Sequence, residues 1–159
     1  MREILFRGKC KETGKWYTGQ YINLHKTTYC FKEDYEADKD NELHHIVFQE
    51  MTDWGLPNRH LRVDVIPETV GQYTGLTDKN GTKIFEGDII KTRSGGLRFV
   101  IKYGAYIPSG YCKEMFSQYE IIGFYAFDGK GDFQLSNYPQ MFEVVGNIHD
   151  NPELLEVAE

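Results

Sequence analysis

Apolar positions along this chain alternate with polar ones far more often than they recur every third or fourth residue, so the pattern predicts strands. Residues 4–9 and 15–22 flank Lys11-Glu12-Thr13-Gly14 and read as a hairpin, with Gly14 supplying the positive φ of a short loop. Trp16 and Thr18 fall on one face of its second strand and Tyr17 on the other. Residues 27–31, 44–49 and 61–66 are further strand-like runs, the last stopped by Pro67. Between the first two of these, residues 32–42 carry six acids and two lysines. Such a run repels itself, and it reads as an exposed loop.

From Val65 to Lys91 the chain reads as one connected piece. Asn80-Gly81 marks a turn, and Ile84-Phe85 and Ile89-Ile90 bracket Glu86-Gly87-Asp88, a tight turn or bulge leading into a new strand. Residues 97–103 form a strand after Ser94-Gly95-Gly96. Residues 105–117 are irregular yet hold Tyr106, Ile107, Tyr111, Met115 and Phe116. Large apolar groups in a loop must be buried somewhere, either capping the same domain or packing on another subunit or a host protein. This makes the five residues the candidate partner surface. Residues 119–127 are apolar on both alternating faces, as in a strand central to a core or part of a subunit interface. Asp128 to Asp132 is a loop into residues 133–135, and residues 141–148 are the last strand. Asn151-Pro152-Glu153 then starts a short helix: a cap, a proline at the first helical position and an acid at the positive dipole end.

The expected fold is therefore mainly β: a small, partly open SH3-like barrel over residues 65–150, an N-terminal hairpin and variable region over 1–64, and a helix over 151–157, in one domain of 159 residues. Composition agrees. Hydrophobic residues make up 40% of the chain, and 11 Tyr, 10 Phe and 2 Trp suit strand surfaces. A chain of this size can bury a core without disulfides or metals. No run of 18 apolar residues is present, and Arg2, Arg7, Lys9 and Lys11 have no apolar run behind them to make a secretory signal. Cys10, Cys30 and Cys112 are odd in number and unclustered, which fits a reducing compartment. A soluble, cytoplasmic protein without a membrane span is the expectation.

The net charge of −6 argues against a uniformly basic nucleic-acid binder. The charge is uneven: residues 1–24 hold five basic and two acidic groups, and residues 79–104 hold six and two. These segments read as solvated strand faces. The alternative is a nucleic-acid interface in which Lys83, Lys91, Arg93 and Arg98, with Arg2, Arg7 and Lys9, follow a backbone while Trp16, Tyr73 or Phe85 stack on bases. Catalytic and metal motifs fail one after another. Gly81 is followed by Thr82 before Lys83, so no phosphate loop forms, and no G-x-S-x-G elbow exists. A calcium loop begun at Asp38 would place Leu43 where glycine is needed and Gln49 where a bidentate glutamate is needed, and one begun at Asp128 fails with Phe133 and Pro139. His44 and His45 are adjacent and point to opposite faces, while His25, His60 and His149 have no ligand spacing. No cofactor and no catalytic residue is assigned.

Three segments carry a resemblance. They are residues 1–9 followed by Gly14-Lys15-Trp16 and Gly19; residues 68–76 through Asp78-Lys79-Asn80-Gly81 to Phe85-Glu86-Gly87-Asp88-Ile89; and residues 144–155. In this order and spacing the chain resembles the YopX family of phage and prophage proteins. The resemblance implies a β-rich fold, a phage or prophage origin, an intracellular setting and self-association. It supplies no reaction and no catalytic residues. The expected function is a non-enzymatic phage accessory protein that binds itself or a host or phage protein, with the nucleic-acid-binding module as the alternative.

Overall fold

The computed structural model describes residues 3–38, 41–53, 55–92, 96–109, 120–135 and 141–155. The chain divides into two compact units: Ile4–Gly71, and Gln72–Glu159 together with Met1–Glu3.

The first unit is an antiparallel sheet of β1 (Phe6–Lys9), β2 (Trp16–His25), β3 (Glu42–Glu50) and β4 (Arg59–Asp64), in spatial order β4-β3-β2-β1. The predicted hairpin is β1–β2, and Gly14 has φ 67°. Register fixes which face is inside. Ile46, fully buried, sits between Tyr21 and Val63, and Tyr17 stacks on Phe48 with ring centroids 5.3 Å apart. Gly19 lies where strands crowd, because an added Cβ there would collide with the backbone carbonyl of Val47.

The acidic run departs from expectation. Lys32–Ala37 is a short helix, α1, and residues 27–31 form no strand. Glu33 and Asp34 occupy the first turn, where the dipole favours acids, and Lys32 pairs with Glu36 at 3.3 Å one turn on. Tyr35 anchors it, its ring 4.0 Å from that of His25 and 5.9 Å from that of Tyr29. Aromatic contacts to residues just before the helix offset the self-repulsion that the charge pattern suggests.

In the second unit, β5 (Gly71–Thr77) pairs with β6 (Lys83–Phe85), and a five-stranded antiparallel sheet runs β10-β9-β8-β7-β11. Its strands are β7 (Asp88–Thr92), β8 (Arg98–Tyr106), β9 (Ile121–Phe127), β10 (Asp132–Gln134) and β11 (Phe142–Asn147). The core joins Ile84, Ile90, Phe99, Ile101, Ala126 and Leu135. The mainly β expectation holds, and the sheets remain open rather than closing into a barrel. At the C-terminus, Pro152–Leu155 is a single 3-10 turn, and the remainder of the helix expected over 151–157 lies outside the described residues.

Two buried carboxylates organise the residue 78–91 region. Asp78, only 3% exposed, accepts the backbone N–H groups of Asn80 and Thr82 on one oxygen (2.8 and 2.9 Å) and that of Val144 in β11 on the other (3.1 Å). Gly81 closes this turn at φ 82°. Asp88, fully buried, accepts the Phe85 N–H at 2.7 Å across the Glu86-Gly87 turn. Burial alone would raise the Asp78 carboxyl, but the N–H donors of Val144, Thr82 and Asn80 prevail and hold it below the usual carboxylate range.

Two predictions follow from this packing. A carboxylate depressed in the folded state contributes stability above its unfolded pKa and loses it as pH falls through the folded value. Asp78→Asn is expected to cost about 1–3 kcal/mol at neutral pH and to flatten the acid limb of a melting-temperature profile between about pH 5 and 2. Gly19→Ala is expected to destabilise the protein by about 3 kcal/mol or more, read from denaturant unfolding, because backbone rather than a mobile side chain must yield.

Candidate interaction surface

Strands β8 and β9 pair in register from Val100 opposite Phe127 to Tyr106 opposite Ile121. Their neighbours cover only the first part of this ladder. β7 meets β8 at Arg98–Val100, and β10 meets β9 at Tyr125–Phe127. Beyond these, Gly87 N–H donates to the Ile101 carbonyl, and the Glu86 carboxylate accepts the Tyr103 N–H. Burial pushes the Glu86 carboxyl up despite that bond and a second from the Gln72 N–H. Among the described residues the far end is a two-stranded ribbon, and just past it Pro108 bridges Asp132 of β10, whose carbonyl accepts the Ser109 N–H.

Side chains on a strand alternate, so the face that places Phe99, Ile101 and Ala126 in the core continues outward through Tyr103, Phe124, Ala105 and Ile122. The apolar character persists after the cover ends. Tyr103 is 54% exposed and packs on Phe124 with ring centroids 5.0 Å apart, and Ile122, opposite Ala105, is 74% exposed. On the reverse face at this level Gly104 opposes Gly123, with nothing within 4 Å of the place where either Cβ would stand. The two glycines leave a gap on that reverse face between Lys102 with Tyr125 and Tyr106 with Ile121.

The predicted surface residues fall around this ribbon unevenly. β8 runs three residues further than expected, taking Tyr106 into the strand. Tyr106 is 5% exposed and stacks on Tyr125 with centroids 4.8 Å apart, whereas Ile107 is 45% exposed. Burial, with a smaller contribution from the Asp132 charge, raises the Tyr106 hydroxyl above its ordinary range. Tyr111, Met115 and Phe116 lie outside the described residues. Ile122 lies in the 119–127 run that the sequence reads as a core strand or part of a subunit interface, whereas Tyr103 carries no such signal, because alternation alone does not say where neighbouring strands stop.

The basic positions are dispersed. Lys83 pairs with Glu3 at 2.8 Å and lies over the Tyr73 ring. Lys91 and Arg98 are directly opposite each other, and Glu143 is opposite Lys91 on its other side. Arg93 lies outside the described residues.

The histidines also separate as alternation requires. His44 accepts or donates at Tyr21 Oη (2.6 Å), while His45, buried on the opposite face, has Nδ1 2.8 Å from an Asp64 carboxylate oxygen. His149 and Asp150 both donate backbone N–H groups to Asn147 Oδ1, building the turn before Pro152. Among the described residues, no group of three or more His, Cys, Asp and Glu side chains converges to hold a metal ion. Among them, too, no helix is long and apolar enough to cross a membrane.

The family described as YopX protein matches this chain over residues 5–156. Among solved structures, protein EF1440 from Enterococcus faecalis is similar, with a TM-score of 0.52 at 20% sequence identity over 98% of this chain and 99% of that one. At that identity the likeness is one of fold alone. No curated protein matches this chain.

Burial separates structural from surface roles within the ribbon. Tyr106→Ala is expected to lower stability by about 3 kcal/mol through loss of a buried ring, measured by urea unfolding. Ile107→Ala, at an exposed position, is expected to change it by less than about 0.5 kcal/mol in the same measurement.

Proposed function

The chain belongs to the YopX family, and we propose that it is a non-enzymatic phage or prophage accessory protein that acts by binding protein, either a second copy of itself or a host or phage partner. One observation carries this reading: the core-facing side of the β8–β9 ribbon continues into solvent as Tyr103, Ala105 and Ile122, with Ile122 74% exposed. Covering a large aliphatic or aromatic side chain contributes about 1.5–3 kcal/mol, so two such groups on a preformed strand pair supply a useful part of an interface. The strand ladder already fixes their backbone, which limits the ordering cost of association. A solvated intracellular setting accords with this role.

The nucleic-acid alternative rests on Lys91 beside Arg98. Lys83 is engaged by Glu3, and the Arg98 guanidinium donates to the Leu154 carbonyl at 2.8 Å. The protein-binding reading draws on the exposed Tyr103 and Ile122 side chains, and it is the one favoured.

Ile122→Lys is the test, since an exposed substitution is expected to leave the melting temperature within about 2 °C of the parent. The parent is expected to self-associate in sedimentation velocity, or to retain a partner in a tagged pull-down from host lysate with and without nuclease, and the variant to lose that species. Parent and variant that both sediment as monomers and recover the same proteins overturn the reading. A partner lost on nuclease treatment transfers support to nucleic-acid binding.

A further inference from the structure

The second unit contains a cavity of about 420 Å³ on the face of the five-stranded sheet opposite the ribbon's apolar side. Val100 and Phe127, opposite each other on β8 and β9, line it together with Leu97, Leu154 and Leu155. The remaining lining comes from Arg98 and the Asp128-Gly129-Lys130 turn. The cavity is open to solvent on one side, where Leu97 is 60% and Leu155 43% exposed, and its volume falls in the range of small-molecule sites.

The charged groups give the cavity a sign. Arg98 and Lys130 line it, and Lys102 places its Nζ 4.0 Å from the centroid of the lining Phe127 ring. The acid in the lining is Asp128, whose Oδ1 accepts the N–H groups of Lys130 and Gly131, each at 2.8 Å, so the lining holds two cations and one carboxylate. Glu143 lies across the sheet beyond Lys91 and is paired with Lys79 at 2.7 Å. Arg98 commits one N–H to the Leu154 carbonyl, which fixes its direction along the cavity wall, and a guanidinium has five such donors. An oriented guanidinium and an ammonium lining one pocket suit an oxyanion, while the leucines, valine and phenylalanine suit a hydrocarbon body.

We propose that this cavity binds a small amphiphilic anion, a phosphate or carboxylate carried on a short apolar chain, with the anion at Arg98 and Lys130 and the chain against Val100, Phe127 and Leu154. The site stands apart from the protein-binding reading, because it uses the opposite face of the sheet.

Backbone amide NMR of the full chain tests it, with octyl phosphate and octanoate as probes below their micelle concentrations and inorganic phosphate and octanol as controls. Saturable shifts are expected at Leu97, Val100, Phe127, Lys130 and Leu154, with each control at least about tenfold weaker than the amphiphile. Lys130→Gln is expected to weaken octyl phosphate binding about threefold, and Arg98→Gln about tenfold. Binding of octyl phosphate alone narrows the class to phosphates, and binding of both amphiphiles supports the class as stated. Octanol or inorganic phosphate binding as well as the amphiphile, or the absence of saturable shifts, overturns the proposal. Should Arg98→Gln fail to fold through loss of its Leu154 bond, Lys130→Gln decides alone, and an unchanged affinity there overturns it.

Discussion

The Asp78 carboxylate is the constraint on which the second unit turns. Its two oxygens take three backbone N–H groups from two places far apart in sequence, the 78–82 turn and Val144 in β11. Charge-assisted bonds of this kind are worth more than neutral ones, and leaving the three donors unmet in a buried setting is worse still. The consequence is topological. Phe142 also gives its carbonyl to the Lys79 N–H, so the turn covers the outer side of β11. A covered edge is closed to further strand pairing. The β11 edge of this sheet is thereby closed, while β10 forms the other edge.

Asp88 repeats the device on a smaller scale, and together the two aspartates explain the glycines around them. Gly81 and Gly87, at φ 82° and 80°, allow the chain to curl back so that N–H groups point at a carboxylate. The Asp78 to Ile89 part of the central segment that carries the family resemblance thus has a physical account as two carboxylate-centred turns.

Local pattern made much of this visible. The β1–β2 hairpin, the Gly81 and Gly87 turns, and the last strand all follow from alternation and turn chemistry within a few residues. What stayed hidden depends on contacts that the pattern does not show. The helix at Lys32–Ala37 is held by Tyr35 against His25 and Tyr29, a contact that no charge count reveals. β8 passes through Gly104, which reads locally as a break, because Gly123 faces it across the ladder. Tyr106 shares a residue type with an exposed aromatic, and only Tyr125 beside it makes it a buried one. The cavity gathers residues 96–100, 127–130 and 154–155, three segments whose juxtaposition has no one-dimensional signature.

The same strand pair carries both surfaces, and its period keeps them apart. Val100 and Phe127 share one face, and Tyr103 and Ile122, an odd number of residues along, share the other. A one-residue slip of β8 against β9 would exchange these sets and put Lys102 and Val100 where the core requires Ile101 and Phe99. Core packing at Phe99, Ile101 and Ala126 forbids that slip. The packing that stabilises the sheet therefore also sets which side chains face the cavity and which project from the ribbon. Ile122 on the ladder and Lys130 in the turn beyond β9 share no partner, so substitutions at the two are separable in effect.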